Sequence, residues 1–421
     1  MELNRLLRRQ WIPPWALLFA QLAHGAAWVL LVYAAARFGV RGLTPGAVAW
    51  IHVVALGWIT MAALAILLHV IPRFTDLPWR GEALARHALG LFAIGVVLFI
   101  VGWFASTTLV VTGAVTIGIA LVAYLTAAFA TLGGRTPIEP TERAIARALA
   151  MTLGIFTAVA LLGGFGLAAL EGAAPATWIA RVPPAHAVLG IFGWFTILIV
   201  GVAARTMRPI CGVRSRFPRL HAIVGSALVL GAPLLALGIL GDLAPLRWSG
   251  ATLVALGCIV YIVDAADIVR RATRPHRPPQ AFVVASLVWL ALGILLGGAL
   301  LAGVPCGEAF GYVLLVGWVG QMVNAHVFHL GVRVISTTVR GDDDETRPGL
   351  LLDERRSWMT FVGMQLAVAI GGYGLLRGNA DDAIVAGILG AAAWFVMMTN
   401  LVGAYFNAFE GTKTSASPSM Q

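Results

Sequence analysis

Nine histidines punctuate a chain of 421 residues, and few other side chains in it are placed to do chemistry. The neutral imidazole is the commonest protein ligand for transition metals and holds heme iron in many membrane and soluble proteins. Five of the nine, His52, His69, His186, His326 and His329, share three of the long apolar runs, the second, sixth and tenth, and Arg205 joins them at a related position. An ionisable group within a membrane span is costly and is a functional candidate by default. The densest feature is His326-Val-Phe-His329. On an α-helix the i, i+3 spacing sets two rings about 60° apart on one face, so both can address one metal or one ligand. Each histidine also has a plainer reading as a packed or interfacial side chain: bonded to loop carbonyls for His52 and His186, interfacial for His69, His326 and His329. His24, in the middle of the first apolar run, reads as packing with a hydrogen bond. His87, His221 and His276 lie beside arginines in loops and read as solvated.

Other catalytic patterns are missing from the sequence. It holds no glycine-rich phosphate loop, no His-Glu-x-x-His and no nucleophile elbow. Cys211, Cys258 and Cys306 are too scattered for a disulfide framework or a Cys-x-x-Cys metal site. The carboxylates Asp264, Asp267 and Glu308 sit near span ends, and a proton-pump relay would want more of them in mid-membrane.

The elements that must position the histidines follow from composition. Hydrophobic residues make up 59% of the chain and charged residues 11%, with a mean hydropathy of +0.88. A soluble domain carries roughly 25% charged residues. That excludes a water-soluble enzyme, a disordered scaffold and a secreted disulfide module. A run of about 20 apolar residues crosses a bilayer as a helix. Twelve such runs are predicted, near 13–36, 47–71, 87–107, 109–132, 145–170, 185–207, 220–240, 248–268, 281–303, 309–334, 355–376 and 383–407. The stretch 87–132 requires a turn at Ser106-Thr107-Thr108. The expectation is an all-α membrane protein: a cytoplasmic N-terminus (1–12), a twelve-helix domain (13–407) and a cytoplasmic tail (408–421). The first run follows Arg5, Arg8 and Arg9 with no clear cleavage site, so it is read as a retained helix.

The net charge of +10 comes from arginines spread between apolar runs, so it signals topology and no nucleic-acid partner. One set of alternate loops carries Arg73, Arg80 and Arg86, then Arg135, Arg143 and Arg147, and so on to Arg355 and Arg356; the other set holds only Arg37, Arg41, Arg181, Arg247 and Arg377. By the positive-inside rule both termini face the cytoplasm of a bacterial inner membrane, with the single lysine, Lys413, on that side. The acidic run at 342–345 reads as a solvated cytoplasmic loop.

The runs also repeat. The second contains His52 and then Gly57-Trp58-Ile-Thr60, ending at Pro72; the sixth contains His186 and Gly193-Trp194-Phe-Thr196, ending at Pro209; the tenth contains Gly317-Trp318-Val-Gly-Gln. Each Gly-Trp pair falls on the second helix of a group of four, which divides twelve helices into three pseudo-repeats. With the tryptophans aligned at 1.5 Å per residue, His52 and His186 lie roughly 9–12 Å toward the outside, in one outer stratum. Eleven residues after each tryptophan come His69, Arg205 and His329, an inner stratum about 16 Å to the other side. Arg205 there is placed to pair with a heme propionate or to snorkel into headgroups.

Twelve helices in three arcs of four, with histidines on the second, sixth and tenth, resemble subunit I of the heme–copper oxidases (cytochrome c oxidase subunit I-like). The phrase His52…Gly57-Trp58-Ile-Thr-Met…Pro72 is similar to the second helix of small bacterial branches such as the NnrS-type proteins. The resemblance covers about residues 13–407. It implies heme b, with copper as a second metal, and redox or nitric-oxide-related work with a small gas or an electron-donor protein as partner. The sequence departs from the oxidase pattern at Gly190, where a tyrosine would follow the sixth-helix histidine. It departs again at His221, alone where adjacent histidines would stand, and at Phe310 and Tyr312, where His-x-His would lie. An intact oxygen-reducing, proton-pumping centre is therefore not expected. Two sites compete: an outer one of His52 with His186, and an inner one of His69 with His326 or His329. The rival function is a transporter or cofactor-handling protein that keeps the fold without a redox centre, and a third is a purely structural subunit.

Overall fold

The computed structural model describes residues 12–134, 140–170, 172, 175, 177–341 and 348–415. Arg5, Arg8, Arg9, Arg135, Arg347 and the acidic run at 342–345 lie outside them, as does the start of the N-terminal segment. Among the described residues, twelve helices are long and apolar enough to cross a membrane. They are α1 (Pro14–Phe38), α2 (Pro45–Arg73), α3 (Glu82–Ala105), α4 (Thr107–Gly133), α5 (Ala146–Leu170) and α6 (Thr177–Ala203), followed by α7 (Arg219–Leu240), α8 (Ala244–Arg270), α9 (Pro278–Leu301), α10 (Gly307–Arg340), α11 (Glu354–Arg377) and α12 (Ala380–Glu410). The chain is a multi-pass helical membrane protein.

Local chemistry sets the helix ends. Proline stands in the first turn of α1, α2, α8 and α9, where its fixed φ suits the helix and its missing N–H costs nothing. Thr44 caps α2 by accepting from the Ala47 N–H at 3.1 Å. The turn expected at 106–108 narrows to one residue. Ser106 is extended, with φ −168° and ψ 147°, and its hydroxyl accepts from the Leu109 N–H at 3.3 Å. Three antiparallel hairpins, α3–α4, α7–α8 and α11–α12, pack most closely. Glycine permits this contact: a Cβ on Gly113 would fall 2.3 Å from the Phe99 nitrogen, and one on Gly250 2.3 Å from that of Leu235.

The centre belongs to α2, α6 and α10. They bury 67%, 67% and 72% of their apolar stretches, against at most 44% for any other helix. Each carries an eight-residue stretch wound with i→i+5 hydrogen bonds: Val53–Thr60, Leu189–Thr196 and Val313–Gly320. Such π-helical turns are rare and concentrate at functional positions. In all three the Gly-Trp pair occupies the fifth and sixth residues. The indole N–H of Trp194 donates to Thr60 at 3.3 Å, and that of Trp318 donates to Thr196 at 3.0 Å. Each ring is backed by another from a flanking helix: Phe156 stacks on Trp194 at 4.1 Å, Tyr261 meets Trp318 edge-on at 5.7 Å, and His24 stacks on Trp58 at 3.5 Å and 4°.

Candidate metal centre

His52 stands on the first α-helical stretch of α2, one residue before its π-helical turn, and His186 lies in α6 three residues before the equivalent turn. The fold brings the two rings together, with centroids 6.2 Å apart and planes 28° from parallel. The Nδ1 of His52 donates to the Val48 carbonyl at 2.8 Å, and the Nδ1 of His186 donates to the Val159 carbonyl of α5 at 2.9 Å. A carbonyl can only accept, so each ring carries its proton on Nδ1 and leaves Nε2 with a free lone pair. Metal-bound histidines are held in this way, with the second nitrogen donating to a carbonyl or carboxylate. The i−4 bond alone is not diagnostic, because exposed His87 makes the same bond to Ala83. The facing ring and the bond from His186 to a neighbouring helix distinguish the pair.

Two residues of neighbouring helices pack against these rings. Phe99 of α3 meets His52 edge-on at 5.1 Å. Gly163 of α5 lies beneath His186, and a Cβ there would come within 3.2 Å of the ring carbon Cε1. Two imidazoles on opposite sides of one metal ion, each bonded at ~2.0–2.1 Å, place their ring centres about 6 Å apart. The observed separation fits that arrangement, whether the ion is heme iron or a two-coordinate copper. Among the described residues, no group of three or more His, Cys, Asp and Glu side chains gathers as a metal site. A metal here would therefore rest on two protein ligands and a cofactor or solvent.

The inner histidines are arranged differently. His326 has both nitrogens engaged, Nδ1 donating to Met322 O at 2.8 Å and Nε2 accepting from the Thr206 hydroxyl at 2.9 Å. A further π-helical stretch, Val327–Gly331, begins directly after His326 and contains His329. A wider turn carries less rotation per residue, so three residues no longer return the rings to within about 60° of one another as on an α-helix. Arg73 and Arg333 act electrostatically on His69, and Arg274 and Arg333 on His329. A bare metal cation would be repelled there. Arg205 is exposed and lies 19 residues beyond His186 on the same helix, roughly 25–30 Å away, out of reach of a propionate on a group held by His186. The same π-helical turns mean that depths reckoned at 1.5 Å per residue are overestimates.

Between α2, α6 and α10, on the inner side of the tryptophans, lies a cavity of about 600 Å³ counted to its open side. Its wall is apolar (Ile59, Ile66, Phe195, Val202 and Met322 among others), and the one ionisable group on it is His326.

Several partners escaped the sequence reading. Thr60 and Thr196 were legible as residues two positions after each tryptophan, and Gly320 as the exception. His221, read as solvated, instead meets buried Asp264 at 3.5 Å, and Ser215 donates to the same carboxylate at 2.6 Å. His24 is fully buried, and neither ring nitrogen has a partner. No family model matches this chain, and no curated protein sequence matches it.

Proposed function

We propose that the protein holds heme b in the membrane between His52 and His186, within a fold of the heme–copper oxidase subunit I type, and serves redox chemistry or binding of a small gas such as nitric oxide. The observation that carries this reading is the facing pair, 6.2 Å apart, with both Nδ1 atoms tied to carbonyls. Bound iron would supply one-electron chemistry and an affinity for diatomic gases. The chain's part is to fix both tautomers, orient both rings and surround the metal with the apolar edges of Phe99 and the α5 backbone. Recurrence of the Gly-Trp turn on α2, α6 and α10 supports three groups of four helices. The departures at Gly190, His221 and Phe310 argue against an oxygen-reducing, proton-pumping centre. A two-coordinate copper ion is the other metal that this geometry suits.

Orientation in a bacterial inner membrane with cytoplasmic termini belongs to the same proposal. Three of the few arginines on the outer side are paired with carboxylates, Arg41 with Glu308, and Arg181 and Arg247 with Asp242, which sharpens the charge asymmetry. A reporter fused after Leu243 should read outside; a cytoplasmic reading there would reverse the orientation.

The visible spectrum of the purified protein is the test. The expected result is a Soret band that sharpens and shifts on reduction and is lost in His52→Ala and His186→Ala. A colourless protein from heme-replete cells sinks the heme reading; stoichiometric copper(I) binding by the pair would then put copper in its place. A second function, transport or cofactor handling without a redox centre, is favoured by the apolar cavity among α2, α6 and α10. A protein that binds neither metal would promote it.

A further inference from the structure

The three tryptophans form a ring of hydrogen bonds that is closed at two seams and open at the third. Trp194 reaches Thr60, and Trp318 reaches Thr196. By the same repeat Trp58 would reach residue 320, which is glycine. The benzo edge of Trp58 lies there instead: a Cβ on Gly320 would sit 2.9 Å from its Cη2. The indole N–H of Trp58 is buried without a partner.

Further buried polar atoms without a partner lie on α1 and α10 within one turn of His24 and Gly320. They are both ring nitrogens of His24, which stacks on Trp58, the indole nitrogen of Trp28 one turn along α1, Gln21 Oε1 one turn the other way, and both amide atoms of Asn324. All five side chains are at least nine-tenths buried. Asn324 lies one turn beyond Gly320 on α10, and Gln21 one turn before His24 on the antiparallel α1, so both offsets run to the same side of Trp58. Two stretches farther along α10, Val332–Arg340 packs on α1. Buried polar groups are almost always satisfied, by protein or by ordered water. In a membrane interior no bulk solvent stands in for the missing partner.

We infer that the α1–α2–α10 seam is a binding site for a neutral molecule carrying both a hydrogen-bond donor and an acceptor. The atoms decide the class. The Trp58 N–H and the Asn324 amide nitrogen donate, Gln21 Oε1 and Asn324 Oδ1 accept, and His24 offers one of each. A bare cation would satisfy only the acceptors and an anion only the donors. A cluster of waters satisfies both, as does a small solute of the urea or formamide kind. The site does not depend on His52 or His186, and a colourless protein would leave it standing.

Radiolytic hydroxyl labelling of the full-length protein in nanodiscs, read by mass spectrometry at each tryptophan, tests it. Trp58, Trp194 and Trp318 are all within 1% of complete burial, so bulk exposure predicts equal and low labelling. Held water beside Trp58 predicts labelling there about tenfold faster than at the other two. In His24→Phe and Asn324→Leu the rate at Trp58 should fall toward that of Trp194, whose own rate stays constant and reports an intact fold. Urea at molar concentration separates the sources: protection of Trp58 identifies a urea-like solute as a competent occupant, and an unchanged rate identifies water alone. Equal labelling of all three tryptophans in the unaltered protein, or a Trp58 rate indifferent to both substitutions, overturns the inference.

Discussion

The two ends of the α2–α6–α10 core both carry histidines, on α2 and α6 at one end and on α2 and α10 at the other, yet they hold them in opposite ways. At one end, His52 and His186 each spend Nδ1 on a backbone carbonyl, and their ring centroids lie 6.2 Å apart. At the other end, His326 has both nitrogens occupied, while His69 and His329 sit in the field of Arg73, Arg274 and Arg333. The contrast shows that intramembrane cost marks a histidine as a candidate without saying for what. A ring becomes a ligand candidate when its neighbours fix one nitrogen, leave the other free and bring a second such ring close by.

The largest effect that would sharpen this contrast is at the ligands themselves. His186→Ala should leave essentially no heme per protein, whereas His69→Ala and His329→Ala should retain nearly all of it, as read by pyridine hemochrome. Retention in the first and loss in the others would move the site to the inner end. Next comes the wall behind the ring. Gly163→Leu should push His186 from its place and weaken retention about 10–100-fold, the range for disturbed support of a metal ligand. Gly164→Leu, where a Cβ meets nothing within 4 Å, serves as the control and should change nothing. Equal effects of the two would mean that His186 needs no defined seat.

Smaller effects are expected where histidine or tryptophan is only packed. Thr206→Val removes the hydroxyl that His326 accepts from and should cost about 0.6 kcal/mol, the average for hydrogen bonds between membrane helices, and no more than about 1.7 kcal/mol. SDS titration of the folded protein would read this, with the heme content unchanged. A loss of heme instead would bring His326 back as a ligand. Thr196→Val breaks the shorter Trp318 bond and Thr60→Val the longer Trp194 bond. Both should destabilise by up to about 1 kcal/mol, the first more than the second.

Much of the fold was open to reading because the bilayer imposes its own ruler. The run expected at 145–170 lies within the helix Pro140–Leu170, and the division expected within 87–132 falls at Ser106. Apolar length and a capping serine need no knowledge of neighbours. The winding of Val53–Thr60, Leu189–Thr196 and Val313–Gly320 was not legible. Whether an N–H reaches back four residues or five changes no side chain, and packing against flanking helices decides it. Assuming an α-helix throughout therefore misjudged both the depth of the histidines and the angle between His326 and His329.

By itself the sequence determined that this chain crosses a membrane with twelve helices, that three Gly-Trp turns recur at matched places, and that five histidines and one arginine lie where polarity is expensive. It left the outer and inner sites as equals, because a ligand pair is a relation between helices. Only the tertiary structure set His52 against His186, through the azimuth of α2 on α6, and supplied the Val159 carbonyl, 27 residues away on α5, that fixes the second ring. Periodicity ranks residues along one helix. The meeting of two rings from helices more than a hundred residues apart depends on how glycines and tryptophans let those helices approach, and that is settled by packing.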